Sequence, residues 1–298
     1  MWAHFARLKS QARRIKHPTM NRFHIALLLF AAANVCPVLG QNKGKLFIIG
    51  GGERSLDMVQ RMVQESGLDK GGYAVVLPMS SGEPDSAVFY TKIQFTALGI
   101  QNVYGVFCTK AQANDPAKVD SIAGAKLIYI SGGDQSRFMD AVAGSEVEKA
   151  IHKAYKNGAM VGGTSAGAAV MSAIMITGNS RKNPEYSATF NTIEADNIET
   201  RPGLGMLKKA IVDQHFVKRS RHNRLISAVI DYPAMKGIGI DESTAILVKG
   251  KDAEVVGISQ VLVYSNAKRS RKYGKSGKLG VKGLRLDIYL PGDHFKVE

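Results

Sequence analysis

Short apolar runs alternate with segments of helical spacing through the first half of the chain. Of all the features of the sequence, this alternation restricts the possible folds most strongly. The runs occupy residues 45–50, 74–78, 103–106, 126–131 and 159–163. Continuous apolar runs of this length are typical of parallel strands that are buried on both faces. Each run is too short to be a complete helix, so we predict five buried strands.

Segments with helical spacing lie between most of these runs, at residues 56–66, 87–98, 137–143 and 147–157. Because strands that alternate with helices form right-handed βαβ units, we predict an α/β fold with a doubly wound, mostly parallel sheet. After residue 203 the pattern changes to a strand at 211–213, a helix at 221–230 and short strands near Gly237, Ala245, Glu254, Val261 and Leu284. We interpret these strands as a β-rich C-terminal edge of the same domain.

The first forty residues have the composition of a secretory signal. Arg22 provides a positive n-region, residues 25–33 form an apolar h-region, and residues 38–40 favour cleavage before Gln41. The apolar run is too short to span a bilayer comfortably, so we expect no stable membrane span after cleavage. Met20 directly precedes this pattern and is an alternative start. We predict an N-terminal extension with a signal peptide at 1–40, a single domain at 41–298, and export to the periplasm or the medium.

The positive charge of the chain is concentrated in two segments. The formal net charge is +15, yet residues 1–40 hold six Lys/Arg and residues 268–285 hold eight, both without an acid. We assign the first cluster to targeting and the second to a solvated loop. We exclude nucleic-acid binding because no binding motif accompanies the charge. Cys36 and Cys108 are too few for a disulfide scaffold or a cysteine-based zinc site, and we predict no metal and no cofactor.

Two glycine-rich loops follow predicted strands, where ligands bind in doubly wound sheets. The loop at 50–52 lacks the spacing of a phosphate-binding loop, so we interpret it as a tight turn beside the site. The loop at 131–135 contains adjacent glycines, which can point backbone N–H groups at an anion. Neither loop is specific by itself.

A third loop, at 162–168, places Gly163, Ser165 and Gly167 between a predicted strand and a helix predicted at 168–174. This Gly-x-Ser-x-Gly spacing in a strand–turn–helix context is a nucleophile elbow. The turn is so tight that the residues two before and two after the nucleophile must be nearly free of side chain. The serine then stands at a helix N-terminus, where the next N–H and the helix dipole stabilise an oxyanion. An N-capping serine is the alternative interpretation.

A serine nucleophile needs a base and a group that orients the base. His215 ends a predicted strand, so we expect it on the same rim as Ser165. Asp241 and Glu242 follow another short strand, and either one can hold the imidazole.

The order of these residues along the chain separates two kinds of hydrolase. In this chain the serine comes first, the histidine second and the acid last. In ordinary α/β-hydrolases the acid comes second. Asp196 and Glu199 lie between the serine and the histidine, so the residues alone leave the other order open.

Four strings of residues together resemble the cyanophycinase group of the dipeptidase E-like serine peptidases. They are Gly132-Gly-Asp-Gln135, Gly163-Thr-Ser-Ala-Gly-Ala168, Asp213-Gln-His-Phe216 with Arg219, Arg221 and Arg224, and Gly239-Ile-Asp-Glu242. The resemblance covers about residues 45–267 and implies a class I glutamine amidotransferase-like fold. It also implies an activity. Cyanophycin is a poly-aspartate with an arginine on each side chain, and these enzymes hydrolyse its aspartyl backbone to β-aspartyl-arginine dipeptides.

The same resemblance implies roles for individual residues. Ser165 is the expected nucleophile, His215 the base and later the acid, and Glu242 the orienting acid. Gly133 and Ala166 are expected to supply the oxyanion N–H groups. The residues expected to bind substrate are Gln135, Asp213, Gln214, Arg219, Arg221 and Arg224. Arginine forks bind carboxylates bidentately, and Asp213 is expected to pair with a substrate guanidinium.

Two other functions stay open on the sequence. One is a dipeptidase E-like enzyme that cuts other aspartyl peptides, although the three arginines favour the polymer. The other is a non-catalytic peptide-binding protein. The presence of Ser165, His215 and Glu242 together disfavours this second alternative. The expected partner is a peptide substrate, and a homodimer is left open.

Overall fold

The computed structural model describes residues 44–183, 185, 187 and 189–298. The predicted signal segment and its cleavage region lie outside these residues, so the division into 1–40 and 41–298 stays a prediction. No helix within the described ranges is long and apolar enough to cross a membrane.

Sixteen strands and seven α-helices form in the described residues. The strands are β1 (Lys45–Ile49), β2 (Ala74–Leu77), β3 (Val103–Gly105), β4 (Leu127–Ile130), β5 (Met160–Thr164), β6 (Ile174–Ser180), β7 (Ile198–Pro202), β8 (Ala210–Gln214), β9 (Lys236–Ile240), β10 (Thr244–Lys249), β11 (Asp252–Gly257), β12 (Val261–Ser265), β13 (Lys272–Tyr273), β14 (Leu279–Gly280), β15 (Arg285–Tyr289) and β16 (His294–Lys296). The helices are α1 (Leu56–Ser66), α2 (Pro84–Thr96), α3 (Pro116–Ala123), α4 (Gln135–Val142), α5 (Glu146–Lys156), α6 (Ala166–Ala169) and α7 (His222–Asp231).

Eight strands form the main sheet, in the order β16-β11-β10-β1-β5-β4-β2-β3. The five strands from β1 to β3 in that order are parallel, and the other three continue the sheet in antiparallel pairing beyond β1. Phe47 and Ile49 belong to an apolar cluster with α1 and α2, whereas Leu46 and Ile48 belong to a cluster with α3, α4 and α5. Helices therefore cover both faces, which confirms the predicted doubly wound, mostly parallel sheet.

The β-rich C-terminal part contributes to two sheets. Besides the three antiparallel strands of the main sheet, β15, β12, β9 and β8 form a separate four-stranded sheet in that order. Its strands β8 and β9 are parallel. Helix α7 packs on this sheet through Leu225 and Val229, which share an apolar cluster with Leu262 and Tyr264. The backbone N–H of His215 donates to the carbonyl of Gly50 at 2.7 Å, so the end of β8 meets the end of β1.

The helix predicted at 168–174 was wrong. Helix α6 covers only Ala166–Ala169, and Ile174 already begins strand β6, which forms an antiparallel hairpin with β7. The carbonyl of Val170 accepts the N–H of Leu204 at 2.7 Å, and that of Met171 accepts the N–H of Leu207 at 2.9 Å. Because these carbonyls bond to a distant segment, they are not available to continue the helix.

Helix α3 was not predicted, although its start carries a recognisable signal. Asp115 caps it by accepting the N–H of Ala117 at 2.9 Å, and Pro116 occupies the first helical position. The basic segment at 268–285 is mostly exposed, as expected of a solvated loop, and contains the short ribbon of β13 and β14.

Candidate active site

Three polar side chains from three strand ends form one hydrogen-bonded chain. Ser165 directly follows β5, His215 directly follows β8, and Glu242 lies just beyond β9. The Oγ atom of Ser165 lies 2.8 Å from Nε2 of His215. The Nδ1 atom of His215 lies 2.7 Å from Oε1 of Glu242. If Nδ1–H donates to the carboxylate, Nε2 is left to accept the serine proton, which is the tautomer a general base needs.

The backbone around Ser165 has the shape of a nucleophile elbow. Ser165 has φ 53° and ψ −108°, a conformation that side-chain-bearing residues rarely adopt. A Cβ atom at Gly163 would lie 2.5 Å from the carbonyl oxygen of Gly167, and one at Gly167 would lie 2.3 Å from that of Ile130. The two glycines are therefore required by close backbone contacts, which is the physical reason for the spacing.

The surroundings of His215 favour its neutral form. Burial lowers the pKa of the imidazole, and this desolvation is the largest effect. The hydrogen bond to Glu242 acts in the opposite direction, while the charges of Arg219 and Arg221 lower the pKa further. A neutral imidazole at neutral pH can accept a proton from the serine.

The two neighbouring acids have separate tasks. Only Glu242 bonds to the imidazole. The buried Asp241 accepts the backbone N–H groups of Val217 and Lys218 through Oδ1, at 3.1 and 2.9 Å, and its Oδ2 accepts the Ser259 hydroxyl at 2.7 Å. Asp241 thereby holds the turn that follows the histidine.

The alternative acids, Asp196 and Glu199, bond to groups other than the histidine. The carboxylate of Glu199 accepts hydrogen bonds from Thr177 and Asn179 in the hairpin of β6 and β7. The backbone N–H of Asp196 donates to Asp231 at the end of α7. The fold therefore does not place either of the acids that lie between Ser165 and His215 in the chain against the histidine.

The loop at 50–52 lies directly against the histidine. Gly51 has φ 115°, and a Cβ atom there would lie 2.3 Å from Cε1 of His215. Its carbonyl accepts the N–H of Ser243 at 2.8 Å, next to Glu242. The interpretation of this loop as a tight turn beside the site fits its position. The sequence did not show that the missing side chain makes room for the imidazole.

The loop at 131–135 lies beside the serine. A Cβ atom at Gly132 would be 3.5 Å from Cβ of Ser165. In the described part of the chain, the N–H of Gly133 donates to no acceptor, and Ala166 is the first residue of α6, where an N–H has no helical partner. Ser80, which sequence reasoning missed, supports the loop, because its hydroxyl donates to the carbonyl of Ser131 at 2.7 Å. No motif marks Ser80 in the sequence.

The residues expected to bind substrate form a buried ion-pair network. Arg224 donates through Nε and Nη2 to the two carboxylate oxygens of Asp213, the first at 2.7 Å. Nη1 of Arg221 donates to the carbonyl of Gln214 at 2.7 Å and lies 3.7 Å from Asp213 Oδ1. The exposed fraction is 0% for Asp213 and 1% for Arg224. Arg219 is half-buried and forms no ion pair with a described residue. Asp213 already uses both carboxylate oxygens within the protein, and the roles of the other residues toward a substrate stay predictions.

Gln135, also expected to bind substrate, bonds to the hairpin of β6 and β7. Its Nε2 donates to the carbonyls of Ile176 and Thr177, at 2.9 and 2.5 Å. Within the described residues, no group of three or more His, Cys, Asp and Glu side chains is placed to hold a metal ion.

Comparison with known proteins identifies relatives over most of the chain. The profile of peptidase family S51 matches residues 46–256. The cyanophycinase of Nostoc sp. is 31% identical over 267 residues, which cover 85% of this chain and 85% of the relative. The cyanophycinase of Geminocystis herdmanii is 30% identical over 265 residues, which cover 85% of this chain and 93% of the relative.

Solved structures share the fold. A peptidase from an acI-B1 Actinobacterium matches with a TM-score of 0.61 and 22% identity, over 86% of this chain and 98% of that one. A putative peptidase E from Listeria monocytogenes matches with a TM-score of 0.51 and 17% identity, over 73% of this chain and 100% of that one. The family profile covers more than half of the chain, and the two cyanophycinases are 30% and 31% identical over 85% of it. The chain therefore belongs to peptidase family S51 and is a peptidase.

Proposed function

We propose that this peptidase hydrolyses the aspartyl backbone of cyanophycin to β-aspartyl-arginine dipeptides, using Ser165, His215 and Glu242 as a catalytic triad. The observation that carries the proposal is the hydrogen-bonded chain of these residues, with distances of 2.8 and 2.7 Å. The similarity to curated cyanophycinases along 85% of the chain supports the substrate.

The triad performs the reaction in two halves. Ser165 Oγ attacks the scissile carbonyl while His215 Nε2 takes the hydroxyl proton. The C–N bond then breaks, and the imidazolium gives that proton to the leaving amine. Water next attacks the acyl-serine ester with His215 again as base, and the proton returns to Ser165 as the carboxylic product leaves. Glu242 orients the ring and stabilises the imidazolium in both halves.

The developing oxyanion is stabilised by two backbone N–H groups. We assign this role to Gly133 and Ala166, which flank Ser165 from the loop at 131–135 and from the start of α6. Neither N–H donates to another described residue, so both are available to a substrate oxygen. These donors are part of the backbone and need no reorganisation during the reaction.

Binding of the polymer uses the arginine-rich side of the site. Each unit of cyanophycin carries a carboxylate, which a guanidinium binds as a fork. We assign direct carboxylate binding to Arg219, because it forms no ion pair with a described side chain. Arg221 and Arg224 act with Gln135 and Gln214 to shape the site, and the buried Asp213 pairs with Arg224 through both of its carboxylate oxygens.

We further propose that the enzyme is exported, on the strength of the signal pattern in residues 20–40. An exported enzyme would act on polymer released by other cells. Determination of the N-terminal residue of the protein recovered from the periplasm or the medium tests this. Export predicts a start at Gln41, whereas an uncleaved protein retained in the cytoplasm would contradict it.

A single assay tests the activity. The purified chain is incubated with cyanophycin and with a panel of α- and β-aspartyl peptides, and the products are identified by mass. We expect β-aspartyl-arginine from the polymer and none from a Ser165→Ala control. Cleavage of small Asp-Xaa peptides without cleavage of the polymer would instead indicate a dipeptidase E-like enzyme.

A further inference from the structure

Asp213 is not free to pair with a guanidinium of the substrate. Both oxygens of its carboxylate accept from Arg224, and Oδ1 also accepts the N–H of Gln214 at 2.8 Å. The residue is fully buried. A substrate that carries a guanidinium on every unit therefore needs another carboxylate at this side of the site.

Glu199 is a carboxylate that two donors hold in one orientation. Thr177 Oγ1 lies 2.6 Å and Asn179 Nδ2 lies 2.7 Å from its Oε2 atom. Both donors come from β6, where the register against β7 shifts between Ile176 and Ser180. Irregularities of this kind re-aim side chains and are frequent beside active sites.

The second oxygen of Glu199 is available to a ligand. Oε1 accepts no hydrogen bond from a described residue, and the carboxylate forms no ion pair within 4.0 Å among the described side chains. The side chain is half-buried. The hydrogen bonds from Thr177 and Asn179 lower the pKa of Glu199, with smaller contributions from the charges of Arg181 and Arg201. The group is therefore a fixed, ionised anion.

The position of Glu199 connects it to the catalytic loops. Gln135 lies two residues after Gly133 and donates to the carbonyl of Thr177 at 2.5 Å. A Cβ atom at Gly178 would lie 3.8 Å from Nε2 of Gln135 and 3.9 Å from Nη1 of Arg224. The segment that holds Glu199 thus packs directly on residues assigned to the substrate side.

We infer that Glu199 binds a guanidinium of the substrate and makes the enzyme selective for arginine-bearing aspartyl chains. The inference rests on the proposed function. The planar guanidinium offers several N–H donors to Oε1, while Thr177 and Asn179 keep Oε2 in place. The nearby Arg201 bonds to Asp140, and Arg181 forms no ion pair with Glu199 within 4.0 Å, so Oε1 of Glu199 is left for a cation from outside the chain.

The test compares two synthetic aspartyl trimers whose side chains carry either arginine or citrulline, a neutral residue of the same length. Wild-type full-length enzyme should hydrolyse the arginine trimer with a kcat/KM about tenfold to a hundredfold higher, as expected of one charge-assisted bond. In Glu199→Gln this preference should fall close to one. The substitution keeps an oxygen that accepts from Thr177 and Asn179, and a thermal melting midpoint confirms that the hairpin is intact.

Glu194→Gln is the matched control. Glu194 pairs with Lys182 and Lys278 at 3.5 and 3.6 Å, so its removal deletes the same charge without touching the proposed subsite. We expect the preference for arginine to be unchanged in this variant.

Three results would overturn the inference, and they separate it from the proposed function. If the wild-type enzyme hydrolyses both trimers equally, it has no subsite for the guanidinium. This result would leave the proposed peptidase activity unchanged. An equal loss on both trimers in Glu199→Gln would mean that the residue only supports the hairpin. If the wild-type enzyme cleaves neither trimer but cleaves other aspartyl peptides, the proposed substrate is wrong. The proposed guanidinium subsite is then wrong as well.

Discussion

The main sheet and the four-stranded sheet each contribute part of the proposed triad, and they hold their residues by different physical means. Ser165 belongs to the main sheet, where contacts between backbone atoms of Gly163, Gly167 and Ile130 leave no space for a side chain. His215 and Glu242 belong to the four-stranded sheet, where hydrogen bonds to the carboxylate of Asp241 hold the turn after the histidine.

This difference has a consequence for mutation. A position defined by steric exclusion tolerates no added atom, whereas a position defined by hydrogen bonds tolerates an isosteric change with partial loss. Substitutions near the serine should therefore act on the geometry of the turn as a whole. Substitutions near the histidine should act on its orientation and its proton affinity.

Removal of the nucleophile should have the largest effect. Ser165→Ala should lower kcat on the preferred substrate at least about a thousandfold, because covalent catalysis is lost while the oxyanion donors remain. The melting temperature should not fall, since the backbone contacts of the elbow are kept. Steady-state kinetics and a melting curve measure the two quantities. Turnover near the wild-type rate would remove Ser165 from the mechanism.

Loss of the orienting charge should have the next largest effect. Glu242→Gln should lower kcat about a hundredfold to ten-thousandfold, because the imidazolium loses its counter-charge and the ring can adopt the wrong tautomer. Asp241→Asn keeps an oxygen for the N–H groups of Val217 and Lys218, so we expect a loss below about tenfold with a lower melting temperature. If the two variants exchanged these results, Asp241 would be the orienting acid.

Gly51 tests whether steric exclusion also extends to the histidine. Gly51→Ala places a Cβ atom 2.3 Å from the imidazole, so the ring must shift, and we expect kcat to fall about a hundredfold. Gly71→Ala is the matched control, because Gly71 has φ 110° and no heavy atom within 4 Å of the added carbon. Both variants should lose some stability through backbone strain. An equal effect of both on kcat would show that the histidine is not held by this contact.

The arginines should separate into a binding and a structural class. Arg219→Ala should raise KM for the polymer about tenfold to a hundredfold, with the melting temperature unchanged. Arg224→Ala leaves the buried Asp213 without its main partner and should lower the free energy of unfolding by about 3–5 kcal/mol. Kinetics with urea titrations distinguish the two. A large stability loss in Arg219→Ala would place it in the structural class.

The pH dependence should show the smallest effect. In the proposed mechanism His215 acts as a neutral base. Burial lowers its pKa, so kcat/KM should decline with falling pH only below the usual histidine value of about 6.5. Arg219→Ala removes a nearby positive charge and should move this acid limb to higher pH. Profiles of kcat/KM between pH 4 and 8 measure both shifts. An acid limb above 6.5 in the wild type would contradict the low proton affinity of the site.

Much of the parallel half of the fold was predictable, because burial on both faces imposes continuous apolar runs that are visible in the sequence. The strand at 45–50 and the helix Leu56–Ser66 illustrate this. The hairpin of β6 and β7 was not predictable, because its start at Ile174 depends on carbonyls of Val170 and Met171 that bond to residues more than thirty positions away.

The site divides in the same way. The spacing of Gly163, Ser165 and Gly167 is a local requirement of one tight turn, so the sequence alone determines that an elbow forms there. The choice of Glu242 over Asp241 was predicted from a resemblance, since the residues alone left both acids open. Its physical reason lies in the packing of the turn after His215 against the neighbouring acid.

The sequence by itself determined the α/β class, the order of the buried strands along the chain and the local shape of the serine turn, because each follows from contacts between residues near in sequence. Only the tertiary structure decided that Gly51 makes room for the imidazole, that Asp213 pairs with Arg224, and that Thr177, which holds Glu199, also bonds to Gln135. These pairings join segments far apart in the chain. Their energies depend on burial and on which polar partner is within reach, and neither quantity is a property of a local pattern.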